Sequence, residues 1–189
     1  MEMPYLRKFL RLKQNFRKQK NLICIGECGL DYMWAKKSNN YEETKKRQQE
    51  TFRRMINLAN DMNLPVNTHS RRADAVVVKI LKECKANKAV LHGFSGTIKD
   101  AKEAIALGYK IAIGANIYDW IETREYLKEF PIDAFVLNTD SPVMAPVKGE
   151  RNEPANILFI VKEIAKIKNI TEEEIIEATN KNVKELFGI

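Results

Sequence analysis

Four times between residues 22 and 140 a short apolar run stops at a side chain able to bind a metal ion, and this recurrence limits the fold more than any other feature of the chain. The first case is LICIGECGLDY, Leu22 to Tyr32, in which Leu22, Ile23, Cys24 and Ile25 lead into Glu27. Such a run reads as a strand buried on both faces, as in parallel sheets covered by helices. A carboxylate is costly in an apolar interior, so Glu27 is expected at the rim of the sheet, near solvent or a cation. Gly26 and Gly29 flank it and allow close backbone approach. PVNTH ending at His69, AVLH ending at His92 and the run Ala134 to Leu137 followed by Asn138, Thr139 and Asp140 repeat the design. A fifth apolar run, Lys110 to Gly114, lacks such an ending.

Helical periodicity fills the gaps between these runs. Tyr41 to Met62 places Phe52, Met55, Ile56 and Ala59 on one face, and Asn63 closes it. Further helices are expected over Ala73–Cys84, Ile98–Leu107 and Asp119–Glu129 and from Pro154 onward. Thr171 and Glu174 form a capping box, and Asn180 to Phe187 reads as a last short helix. Asp31 to Asn40, with Trp34, and Ser141 to Glu153 read as loops. Five strands alternating with helices predict right-handed βα units and a parallel sheet or barrel. In such folds the carboxyl ends of the strands share one face, so Glu27, His69, His92 and Asp140 should converge.

The chain has only two histidines, and both fall at predicted strand ends. Two imidazoles and two carboxylates suit zinc, manganese or magnesium. A site of this kind makes a nucleophile from water and stabilises charge on an ester or phosphate oxygen, which points to a metal-dependent hydrolase. Cys24, Cys28 and Cys84 match neither a disulfide framework nor a zinc ribbon and read as small buried hydrophobes. With no apolar run of about 18 residues and no signal-peptide pattern, the cytoplasm is the expected compartment and no membrane partner is expected.

Charge is concentrated at the start. Residues 1–20 hold seven basic side chains against one acid, Glu2, and so carry six of the seven net positive charges. Tyr5, Phe9, Leu12 and Phe16 share one helical face there, which sets off residues 1–20 as a basic helix from a domain over residues 21–189. The stripe reads either as a solvated helix face or as a track for a phosphate backbone.

GECGLDY from Gly26, Gln48, Gln49 and Phe52 of the long helix, NLPVNTHSRRA from Asn63, VLHGFSG from Val90, NTDSP from Asn138 and RNEP from Arg151 together resemble the TatD family of metal-dependent deoxyribonucleases, as do Thr179, Asn180 and Asn182. The resemblance implies a TIM-type β/α barrel, phosphodiester hydrolysis on DNA and divalent metals at the strand ends. It implies that Glu27 is a carboxylate shared between two metals, that His69 and His92 complete one metal site, and that Asp140 belongs to the other metal site or to water activation. Arg71 keeps the family's HxR arrangement and reads either as a phosphate ligand or as one half of a surface ion pair.

The chain departs from the family pattern in three ways. The first-strand HxH pair is absent, the first two βα units are missing so that the barrel is incomplete, and Asn138 stands where the family usually has a glutamate. The resulting expectation is one divalent metal per chain, water activated beside Asp140, and a phosphate held by Arg71 or Ser95. Trp34 or Tyr32 would stack on an unpaired base, and a second copy or a partner subunit would cover the open barrel. Two alternatives remain at this point: a catalytically impaired binding or partner subunit, favoured by the missing HxH, and a hydrolase of small amides or esters.

Overall fold

A computed structural model describes residues 14–16, 18, 19 and 21–189. Most of the expected basic helix therefore lies outside the described residues; of its apolar face, Phe16 packs half-buried against the core. Strand β1 (Ile25–Asp31) leads through a one-turn helix α1 (Tyr32–Ala35) into α2 (Tyr41–Met62), then β2 (Val66–Arg71) and α3 (Asp74–Glu83). β3 (Ala89–His92), α4 (Ile98–Ala106), β4 (Lys110–Ile113), α5 (Ile121–Glu129) and β5 (Phe135–Leu137) follow, and α6 (Ile157–Lys168) and α7 (Glu172–Phe187) complete the order. All the strand pairs are parallel, in the order β1-β2-β3-β4-β5. The expected α/β architecture with a parallel five-stranded sheet is thus present.

Local signals set most boundaries. Asn40 caps α2 by accepting the Glu43 N–H, and Asn63 ends it in the left-handed conformation at φ 54°. Both halves of the Thr171–Glu174 capping box form at the start of α7. With no glycine or proline from Glu172 to Phe187, α7 runs unbroken, so the separate helix expected from Asn180 does not exist.

The first strand departs from expectation. Ile23 is 46% exposed, and pairing starts only where the Ile25 N–H donates to the Pro65 carbonyl, so Leu22 to Cys24 lead into the sheet and are not a strand buried on both faces. Ile25 pairs with Val66 and Cys28 with Thr68, so three steps along β1 match two along β2. This one-residue bulge explains why Ile25 and Leu30, an odd number of residues apart, are both buried in the same core cluster. Glu27 sits inside the bulge, within the strand and not at its end. The three cysteines are half-buried and free, not fully buried; burial pushes the Cys28 thiol up to about 12.

The helix-covered face of the sheet packs Val66, Leu91, Ile111 and Phe135 against Phe52, Ile56, Val77, Leu81 and Ile164. On the opposite face a smaller cluster joins Val90, Ala112 and Val136 to Leu186, with Val183 and Phe187 of α7 alongside. Asn182 fastens α7 there by donating to the carbonyls of Ile132 and Phe135 at 3.1 and 2.7 Å. No helix among the described residues is long and apolar enough to cross a membrane.

Candidate metal centre at the strand ends

The bulge in β1 brings Glu27 to His69. Its carboxylate Oε1 lies 2.9 Å from His69 Nδ1, and the Asp31 Oδ2 lies 3.3 Å from His69 Nε2. Only glycine permits this approach: a Cβ on Gly29 would stand 1.9 Å from the His69 carbonyl oxygen, and one on Gly26 would stand 2.6 Å from that of Asn67. Asp31 is held in turn by Gln48, whose amide accepts the Asp31 N–H at 3.0 Å and donates to the Asp31 carbonyl at 3.1 Å. Asp31 was not among the residues singled out from the sequence, although it ends the same strand as Glu27. Its place at the end of β1, past the bulge and in register with Arg71, puts its side chain on His69.

His92 and Asp140 form a second pair, with Nε2 and Oδ1 2.9 Å apart. This hydrogen bond raises the His92 pKa and lowers that of Asp140, more than burial opposes either change. The Glu27 charge also acts on His92 in the same direction. Asn138 donates to the same Asp140 oxygen at 3.1 Å, while its own Oδ1 is buried without a hydrogen-bond partner. Asp140 itself has φ 57°, a left-handed conformation uncommon for a side-chain-bearing residue.

That loop conformation is supported by Asn152, which is 2% exposed. Its amide donates to the carbonyls of Thr139, Val143 and Met144, and its oxygen accepts from the Glu153 N–H and from Asn156. The sequence marked Asn152 only as part of a motif. Polar residues on either side hide such a role, since its partners lie up to 13 positions away.

The four expected donors therefore meet as two pairs. Among the described residues, no three His, Cys, Asp or Glu side chains converge in an arrangement that holds a metal ion. The donor chemistry nonetheless fits a divalent cation. His69 and His92 stand opposite each other in the β2–β3 register, each with a carboxylate at 2.9 Å. Neighbouring ligand atoms at right angles on an ion with bonds of about 2.1 Å are separated by about 3 Å, so each pair already has the spacing of adjacent ligands.

The remaining expectations divide. Arg71 pairs in register with Asp31, is exposed and makes no ion pair among the described residues. Ser95, expected at the phosphate, is taken up structurally: its N–H and hydroxyl donate to Asp74 at 3.0 and 3.1 Å, and Ser70 donates to the same buried carboxylate at 2.6 Å. This network ties β2, α3 and the loop after β3 together, leaving Ser95 committed. Tyr32 is also committed, 7% exposed with its hydroxyl accepting from Gln49, whereas Trp34 is 57% exposed.

Comparison with known proteins gives the family. The chain is 39% identical over 166 residues to the human protein named deoxyribonuclease TATDN3, spanning 88% of this chain and 60% of that one. It is 36% identical over 174 residues to YabD of Bacillus subtilis, described as an uncharacterized metal-dependent hydrolase, spanning 89% of this chain and 66% of that one. The chain thus covers less than two thirds of the length of either relative. Among solved structures, the Escherichia coli TatD homolog YjjV superposes with a TM-score of 0.83 at 28% identity, covering 96% of this chain and 70% of that one. The model of the family described as TatD related DNase matches residues 3–188, and the chain belongs to that family.

Proposed function

We propose that this chain is a metal-dependent hydrolase that cleaves phosphodiester bonds of DNA. The observation that carries the reading is the juxtaposition of His69 and His92 in register, each with a carboxylate at 2.9 Å. Glu27, His69, His92 and Asp140 would hold one divalent cation, whether zinc, magnesium or manganese. A cation there supplies Lewis acidity, drawing charge from a phosphate oxygen and making water a stronger acid. Asp140 orients the attacking water and accepts its proton; Asn138 and His92 keep that carboxylate in place. Arg71, without an ion pair among the described residues, holds a non-bridging phosphate oxygen through its planar fork of donors.

The domain reading is part of the same proposal. Residues 21–189 form the hydrolase domain, and the basic side chains of residues 1–20 add salt-sensitive contacts to DNA phosphates. The five-stranded sheet is read as part of a TIM-type barrel, with a second copy or a partner subunit over its open side.

Metal content of the purified chain, measured with hydrolysis of labelled DNA before and after chelation, tests the reading. One equivalent per chain, lost in His92→Ala together with hydrolysis, is expected. Two tightly bound equivalents would overturn the single-ion site. No metal and no hydrolysis would overturn the enzyme and favour a binding subunit.

A further inference from the structure

Trp34 stands next to the candidate centre, and neither the proposed hydrolysis nor the core uses it. Its position is set by Asp31, one of whose carboxylate oxygens accepts the Trp34 N–H at 2.8 Å while the other lies 3.3 Å from His69 Nε2. Gln48 clamps the backbone of Asp31 from both sides, so the main chain that carries the indole is joined to His69 through one immobilised residue. The ring is capped by Lys37, whose Nζ lies 3.8 Å from its centroid. Even so, Trp34 remains 57% exposed.

Its surroundings are cationic. Lys36 and Lys37 follow it, and Arg71 and Arg72 leave the neighbouring strand opposite Asp31, all four exposed. An accessible ring with one cation against it and three more on the adjoining segments, beside the proposed phosphodiester site, has the composition of a stacking platform for unpaired bases. A protein partner docked through the same ring would gain little from four positive charges without acids of its own. A polynucleotide brings a phosphate with every base.

Resting on the hydrolase reading above, we infer that Trp34 and Lys37 form a stacking subsite for an unpaired nucleobase of the strand being hydrolysed. The base lies against the indole, Lys37 supports the ring from its other face, and Arg71 and Arg72 take the adjoining phosphate. No covalent step occurs there. Trp34 is a specificity-determining residue, selecting unpaired over paired strands, since a base stacked in a duplex offers no free face.

Fluorescence anisotropy of a labelled oligothymidylate of about ten nucleotides, with the full chain in excess chelator, tests this without turnover. Trp34→Ala is expected to weaken binding roughly tenfold or more, and Trp34→Phe to retain most of it. A strand of the same length carrying abasic units should bind wild type and Trp34→Ala equally weakly. Equal binding of oligothymidylate by wild type and Trp34→Ala would overturn the subsite, as would equal binding of the thymidylate and abasic strands by wild type. The two readings fail separately. Trp34-dependent binding without cleavage on adding manganese or magnesium removes the hydrolase and leaves the subsite, whereas cleavage with Trp34-independent binding does the reverse.

Discussion

On the helix-covered face of the sheet Val66, Leu91, Ile111 and Phe135 are at most 1% exposed, whereas the opposite face of the same strands presents Asn67, His69 and His92 beside a small cluster of Val90, Ala112 and Val136. The alternation of a strand lets one stretch of backbone serve both ends, holding the fold with every second residue and offering chemistry with the others. Unsatisfied polar atoms occur on both faces, the Thr68 hydroxyl on the helix-covered side being one. Asn67 and Asn138 each keep a buried amide oxygen without a partner, a cost that stability alone would not favour and that a ligand could relieve.

The sharpest way to break this contrast is to truncate one residue on each face. Phe135→Ala should lower stability by about 3–5 kcal/mol in chemical denaturation, as for other fully buried aromatics. His69→Ala, removing a side chain that is 40% exposed, should change stability by no more than about 1 kcal/mol while abolishing hydrolysis. Comparable losses of stability from both would mean that the polar face also holds the fold together.

A second substitution probes the border between the faces. Asp74→Ala strands the donors of Ser70 and Ser95 and should cost about 2–3 kcal/mol, seen as a lower denaturation midpoint. If Asp74 belonged to the chemistry, activity would fall in Asp74→Asn with stability intact, and that result would move it from one face to the other.

Asn152→Ala should cost about 1–2 kcal/mol, since three carbonyls lose a donor but lie near the surface loop. Metal affinity should fall more steeply than stability, because the loop that carries Asp140 loses its support. Unchanged metal binding by titration calorimetry would show that Asp140 does not depend on that loop.

The smallest effect is expected far from either face. Thr171→Ala removes the cap of α7 and should cost about 1 kcal/mol. Bonds from the Thr171 N–H and hydroxyl hold the Glu174 pKa below the ordinary glutamate value. Its contribution is therefore present above the unfolded-state pKa and lost as pH falls through the folded-state one. Glu174→Gln should flatten the acid side of the stability profile slightly, with hydrolysis untouched.

How far these features were legible beforehand depends on the distance between the interacting groups. Helix α2 was legible to its last residue because its cap at Asn40, its apolar period and its left-handed Asn63 all lie within one segment. His69 and His92 were legible as neighbours because parallel strands bring their carboxyl ends together by topology alone. Glu27 was legible as a candidate but not its setting: the bulge that aims it depends on how β1 registers against β2, 40 residues or so downstream.

The sequence by itself determined the parallel α/β architecture, most helix limits and the placement of His69 and His92 at neighbouring strand ends, since periodicity, capping and strand direction are properties of neighbouring residues. Only the tertiary structure decided which partners they take. Ser95 belongs to Asp74, 21 positions away, and not to a phosphate; Asn152 belongs to the Asp140 loop; Asp31 joins Glu27 at His69. The physical reason is that a hydroxyl, amide or carboxylate has the same bonding capacity wherever it occurs, and burial decides which available group must satisfy it.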